Sequence, residues 1–325
     1  MTLNEICKPI NQELEQFEEQ FKASLNSKVL LLNKVVDYVI AHRGKRLRPI
    51  LVFLTANTVG KATQRSIISA VLIELLHTAT LLHDDVVDES EMRRGGATVN
   101  KSWENKIAIL TGDFLFATVL QLMVELGDMD TFRILSEVTR RMSGGELLQI
   151  ERSKDYSMDE AIYFQLISDK TASLLAASCQ LGALTSNSAP QMEVVNSLKK
   201  LGEYLGVAFQ IKDDLLDYVG DAKIIGKPTG NDIIENKITM PLSYALKNAS
   251  EAERQKIIDI FESENSANEV QTIKSFVQRN GGLDYAEKKA NEYVQHAECI
   301  LSQFPDSESK TSLKLLLNYV TERDK

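Results

Sequence analysis

The chain has 325 residues, a formal net charge of −9 and 43% hydrophobic residues, enough to bury a sizeable core. The negative charge argues against nucleic acid as the main partner and leaves an anionic substrate open wherever basic residues converge. Cys7, Cys179 and Cys299 are widely spaced and odd in number, which excludes a disulfide framework or a CxxC metal site.

The N-terminus MTLNEICKPI lacks a basic region followed by an apolar core, so no signal peptide is expected. No apolar run of roughly 18 residues is free of polar interruption, so no membrane span is expected. A reducing cytoplasm is the expected compartment. Length alone suggests about two domains. The chain nevertheless has few prolines, no sustained alternation, no linker-like segment and no short repeat. These features predict one all-α domain over residues 1–325.

Residues 3–39 read as one or two amphipathic helices, broken near 24–28. The basic cluster GKRLRP follows, with Lys45, Arg46 and Arg48 just before the apolar PILVFLTAN. Pro49 suits the first turn of a helix, and a basic loop at a helix N-terminus is an anion site or else a solvated turn. Residues 66–88, SIISAVLIELLHTATLLHDDVVD, form a long helix that is apolar on almost every face and ends in carboxylates. Asp84 and Asp88 share a face, with Asp85 beside them. Acids are disfavoured at a helix C-terminus and next to an apolar run, and a hard divalent cation such as Mg²⁺ relieves both costs.

ESEMRRGGATVN, residues 89–100, reads as a loop. Its Arg93 and Arg94 are either phosphate clamps or surface arginines, and guanidinium matches phosphate in bidentate fashion. Residues 107–126 are helical and end at a Gly127-Asp128 turn; residues 131–150 are helical again. Ser157 to Glu160 read as a capping box that opens a further helix. That helix carries Lys170-Thr171, the lysine either snorkelling or paired with an anion. Residues 186–191 are a loop.

Residues 201–217, LGEYLGVAFQIKDDLLD, end a second apolar helix in the same D-D-x-x-D. Asp213 and Asp217 repeat the i, i+4 pair, 129 residues after the first, and the two motifs could face each other across a cavity. Gly202 and Gly206 fall beneath Asp213 and are expected to leave space there. Residues 220–231 read as a flexible loop, flanked by Lys227 and Lys237, that closes over an anion. From residue 242 onward, helices alternating with polar loops read as scaffold.

GKRLRP, LLHDDVVD, the RRG of MRRGG, the GD of TGDFLF, SDKT, FQIKDDLLD and GKPTGND…K stand in this order over residues 44–241. Together they resemble the trans-type isoprenyl (polyprenyl) diphosphate synthases. The resemblance implies an all-α isoprenoid synthase fold, with about ten or more helices around a deep central cavity. It also implies a homodimer and three Mg²⁺ ions per active site, for which Mn²⁺ can substitute. The implied substrates are isopentenyl diphosphate and an allylic diphosphate; peripheral membrane association for product release is a further expectation.

Carried over residue by residue, Asp84, Asp85 and Asp88 belong to the first metal motif, and Asp213 with Asp217 to the second. Arg93, Lys170, Thr171, Gln210, Lys227 and Lys237 match contacts to the allylic substrate. Lys45, Arg48, His77 and Arg94 match the isopentenyl diphosphate pocket. Ala79 and Thr80, small where short-chain members carry aromatics, imply a long product; Met123 and Leu135 are the candidate floor of its channel. One helical turn is about 5.4 Å, near one extended isoprene unit, and the implied product is about six to eight units or more.

Besides a shorter-chain (geranylgeranyl or farnesyl) diphosphate synthase, three other readings stay open. A class I terpene cyclase usually carries a different second motif. A di-iron bundle would use Glu74 and His77 but needs a second E-x-x-H. A non-catalytic partner subunit is disfavoured by the intact acidic motifs.

Overall fold

The helices begin and end where caps and breakers stand in the sequence. A computed structural model describes residues 2–152, 159–219, 229–262 and 269–322. In chain order they form α1 (Leu3–Cys7), α2 (Asn11–Ala23), α3 (Leu30–Ala41), α4 (Leu47–Val59), α5 (Gln64–Val87), α6 (Val99–Trp103), α7 (Asn105–Leu126), α8 (Met129–Arg152) and α9 (Glu160–Ile167). There follow α10 (Ser173–Leu184), α11 (Met192–Val219), α12 (Asn231–Ile234), α13 (Met240–Asn248), α14 (Glu251–Glu262), α15 (Val270–Arg279), α16 (Gly282–Ser302) and α17 (Glu308–Glu322). The fold is all-α, as expected.

Two compact units emerge, each assembled from separate stretches. Unit one comprises Met1–Thr139, Leu174–Gly202 and Ile300–Leu316; unit two comprises Arg140–Ser173, Glu203–Cys299 and Leu317–Lys325. α5 is the core of unit one. The Thr63 hydroxyl caps it by accepting from Arg65 N–H at 3.2 Å, while Thr63 N–H donates to the Ser66 hydroxyl at 3.1 Å. It packs against α7, α4 and α2 and buries Leu72, Ile73, Leu75 and Leu76. Unit two has one core around Tyr163, Val207, Ile211 and Leu215, and another around Leu242, Ile257, Ile273 and Phe276.

Several expectations need correcting. Residues 92–97 are a miniature antiparallel hairpin, β1 (Met92–Arg93) and β2 (Gly96–Ala97), rather than loop, and Val99 and Asn100 already belong to α6. Arg94 and Gly95 sit at φ 52° and 77°, the positive pair that a tight two-residue hairpin turn requires. The cap of α9 is Asp159, which accepts from Ala161 N–H at 3.2 Å; Ser157 lies outside the described residues. Most of the expected 220–231 loop, with Lys227, also lies outside them, but Asn231 opens α12 behind Gly230 at φ 92°.

Gly202 leaves no open channel. A Cβ there would lie 2.6 Å from Leu175 O, 2.8 Å from Cys179 Sγ and 2.9 Å from Ala176 Cα. The glycine lets α11 seat directly on α10. α5 and α7 are both long and apolar enough, by length and composition, to cross a membrane. That qualifies the expectation of no span, although α5 is mostly buried in unit one. On α7, Leu110, Leu120 and Val124 are exposed.

Gly202→Ala tests the close seat. In an open helix the change would gain up to about 1 kcal/mol. Here it is expected to destabilise the protein by about 1–3 kcal/mol, the range for overpacking, as read by urea denaturation. An unchanged or raised midpoint would overturn the close-packing assignment.

Candidate active site

In unit one the basic loop and the hairpin converge on His77. Arg46 sits in the left-handed region at φ 57° and caps α4. Its guanidinium pairs with Glu74 at 2.7 Å and Glu18 at 3.3 Å and lies over the Phe21 ring, 4.5 Å from its centroid. Arg94 lies on bare backbone: a Cβ on Gly44 would stand 2.6 Å from Arg94 Nη2. Arg93 donates to Asp85 at 2.6 Å. The hairpin is anchored from α3, where the Tyr38 hydroxyl donates to Ala97 O at 2.6 Å. Gly96 packs so closely on His42 that a Cβ would come within 2.6 Å of the ring.

The resulting charge is lopsided. Arg46 and Arg93 have carboxylate partners, whereas Arg48 and Arg94 make no ion pair among the described residues. Arg48 Nε is buried with no hydrogen-bond partner. Burial first, and then Arg94, pulls the Arg48 pKa down to about 10 against the help of Glu74. Burial and neighbouring Arg93 likewise lower Arg94. Burial and four surrounding arginines hold His77 well below the ordinary histidine value, so it is neutral. Such a histidine contributes stability that is lost as pH falls below its unfolded pKa of about 6.5 toward the folded one. A cavity of about 640 Å³, including solvent space at its mouth, is lined by Arg46, Glu74, His77, Asp85, Arg93 and Arg94. It is a cationic pocket short of negative charge.

Asp84 and Asp88 end α5, both half-buried, with Asp88 N–H donating to Asp84 O at 2.8 Å. Asp85, grouped with them as a ligand, is instead buried against Arg93. Lys45 is exposed. Ala79 is fully buried, and the half-buried Thr80 hydroxyl donates to His77 O at 2.9 Å. Met123 on α7 and Leu135 on α8 are buried.

In unit two, residues Ser168–Ala172 form a π turn. Lys170 Nζ pairs with Glu146 at 2.5 Å and reaches Gln149 at 3.3 Å; the Thr171 hydroxyl donates to Gln210 at 2.8 Å. Gln210 in turn donates to Asp214 at 2.8 Å, and Tyr163 Oη donates to the same carboxylate at 2.6 Å. Burial raises Asp214 to about 7, with Asp213 and Asp217 adding to the rise against the two hydrogen bonds. The Asp217 carboxylate accepts from the N–H groups of Gly230, Asn231 and Asp232 at 3.0–3.1 Å. It therefore caps α12 and keeps little lone-pair capacity for a metal. Lys237 pairs with Glu235 at 2.6 Å. Glu146 and Gln149 escaped the sequence reading; their signal is the helical spacing that puts them on the glycine-marked side of α8.

A family profile described as Polyprenyl synthetase matches residues 29–279. The octaprenyl diphosphate synthase of Escherichia coli K12 is 35% identical over 325 residues, covering all of both chains. Component 2 of the heptaprenyl diphosphate synthase of Geobacillus stearothermophilus is 33% identical over 324 residues, again with full coverage of both. A polyprenyl synthase from Caulobacter crescentus CB15, solved with calcium and isoprenyl diphosphate, superposes with a TM-score of 0.94 at 31% identity, covering 100% of this chain and 98% of that one.

The cationic pocket should bind inorganic pyrophosphate. Arg94→Ala is expected to weaken that binding about tenfold, near 1.4 kcal/mol, by isothermal titration calorimetry. Equal affinity in wild type and variant would remove Arg94 from the anion site.

Proposed function

This chain belongs to the polyprenyl synthetase family, and we propose that it condenses isopentenyl diphosphate head-to-tail with an allylic diphosphate to build a long all-trans polyprenyl diphosphate. The observation that carries the reading is the under-neutralised arginine pocket around His77, in the same unit as the acidic end of α5. Arg48, Arg94, Lys45 and His77 take the diphosphate of isopentenyl diphosphate. Arg93, Lys170, Thr171 and Gln210 serve the allylic partner, together with Lys237 and Lys227.

The carboxylates of Asp84, Asp88 and Asp213 are hard oxygen donors that fit Mg²⁺, three ions by family resemblance. Among the described residues no three acidic, histidine or cysteine side chains close a cage. Each acidic motif, within its own unit, would hold a cation through water and substrate oxygens as well, which is the usual Mg²⁺ arrangement. When bound, the ions neutralise charge on the departing pyrophosphate.

The protein's own part is positional and electrostatic. The allylic C–O bond ionises, the double bond of isopentenyl diphosphate attacks the cation, and the leaving pyrophosphate accepts the proton lost. The oxygens of Thr171 and Gln210 stabilise the cation. His77, neutral and ringed by arginines, binds rather than acts as a base.

The exposed stripe of α7 supports a homodimer. Leu110, Ala117 and Val124, with Asp113 and Leu120 between them, repeat at heptad spacing on solvent-facing positions. A second copy of α7 would cover it. Relatedness to a component 2 subunit supports the alternative that a different chain does so. A cytoplasmic location is part of this proposal; Cys7, Cys179 and Cys299 form no disulfide among the described residues.

Asp84→Ala and Asp213→Ala are each expected to lower kcat by at least about 10²-fold, the scale of losing one main electrostatic stabiliser. Full activity in either variant, or in excess chelator, would refute the assignment. Product length is read by mass spectrometry. The wild type is expected to give about six to eight isoprene units or more, and Ala79→Tyr, five residues before Asp84, to shorten products to about three or four. Wild-type product stopping at three units would end the long-chain reading and leave the chemistry intact.

A further inference from the structure

Within unit two, the turn that carries Lys170 and Thr171 is held by side chains with no place in the chemistry above. Ser173 N–H reaches back to Ser168 O, closing one wide π turn in an otherwise α-helical run. Such a turn is less favourable than α-helix and persists where its surroundings fix it. Here Arg141 on α8 does the fixing. Its Nε donates to Asp169 Oδ1 at 2.6 Å, and its Nη2 donates to Ser168 Oγ at 3.0 Å and lies 3.6 Å from Glu203 Oε1. The Ser168 hydroxyl donates to the same Glu203 oxygen at 2.8 Å. One guanidinium thus ties α8, the π turn and α11 together.

Gly145, one helical turn after Arg141, lets the turn come close: a Cβ there would lie 3.1 Å from Asp169 Cβ and 3.2 Å from Lys170 N. Held this way, Lys170 points to Glu146 and Gln149 and Thr171 to Gln210.

We propose that Arg141 is a positioning residue: its fork onto Ser168 and Asp169 locks the π turn and so sets where Lys170 and Thr171 meet the allylic diphosphate. The proposal rests on the reading that these two residues contact that substrate. A planar, multiply donating guanidinium suits the task, because it bonds two side chains in fixed directions. Lysine in its place cannot reproduce both bonds.

Steady-state kinetics would be measured for Arg141→Met, Arg141→Lys, Lys170→Ala and the double variant Arg141→Met/Lys170→Ala, varying each substrate separately. Arg141→Met should lower kcat/KM for the allylic substrate at least about tenfold, since misplacing a binding group by about 1 Å can cost 10²-fold. Its KM for isopentenyl diphosphate should stay within about twofold, and Arg141→Lys should recover only part of the loss. The double variant should be no worse than the poorer single one, because both changes remove the same contact. Additive losses, or equal losses for both substrates, would show that Arg141 only supports the fold and would overturn the proposal. Should Arg141→Met fail to fold, Asp169→Asn keeps the side chain's shape, removes its charge and must show the same allylic-selective loss. If Lys170→Ala leaves allylic kinetics unchanged, the role of Lys170 itself fails, an outcome distinct from loss of the Arg141 effect alone.

Discussion

The buried pair of Arg46 and Glu74 is the interaction on which the anion pocket depends. Both side chains are about nine-tenths removed from water, and each would be costly alone. Paired, they fix the left-handed cap of α4 to the middle of α5, one turn from His77. The next arginine, Arg48, and the hairpin arginine, Arg94, can then approach with no carboxylate of their own. The pair fastens the loop; the neighbours carry the unspent charge. Removing either partner would leave a buried ion and would loosen the segment that carries Lys45 and Arg48.

The same logic governs the hairpin. Two residues per strand cannot hold a hairpin in water. Its stability comes from outside: Tyr38 holds Ala97, His42 covers Gly96, Arg93 is clasped by Asp85, and Asn100 Nδ2 donates to Asp85 O and Ser90 O at 3.1 Å each. Asp85 is therefore more an anchor of Arg93 than an open metal donor. The middle position of the first D-D-x-x-D is thus distinguished from its outer pair by burial, a difference that spacing alone cannot register.

What could be read from the chain follows from how local each signal is. α5 and α7 declare themselves through long apolar runs, a threonine cap and the glycine stop at Gly127, φ 64°. The acidic pairs are legible because i and i+4 fall on one face whatever the tertiary structure. The hairpin was missed because its strands are too short for any periodicity; the positive-φ pair Arg94-Gly95 was its only trace. The π turn was missed because S-D-K-T-A is ordinary helical sequence, and its extra residue is enforced by Arg141, which is 27 residues earlier than Ser168. At Gly202 the sequence does not distinguish a void from a close approach; the neighbouring Leu175, Ala176 and Cys179 make it a close approach.

Unit two gives the complementary lesson about acids. Asp213, Asp214 and Asp217 look alike in sequence, yet their environments separate them. Asp214 is buried beneath Tyr163 and Gln210 and raised to about 7. Asp217 spends its oxygens on three backbone N–H groups at the start of α12. Asp213 is half-buried, between the fully buried Asp214 and the capping Asp217. The chain of bonds from Thr171 through Gln210 to Asp214 also ties the π turn to this helix. The residues assigned to the allylic substrate in this unit are therefore held from two sides, by Arg141 through Asp169 and by Asp214 through Gln210. Preorganisation of that kind is what an enzyme needs when its catalysis consists of placing charge rather than of moving protons.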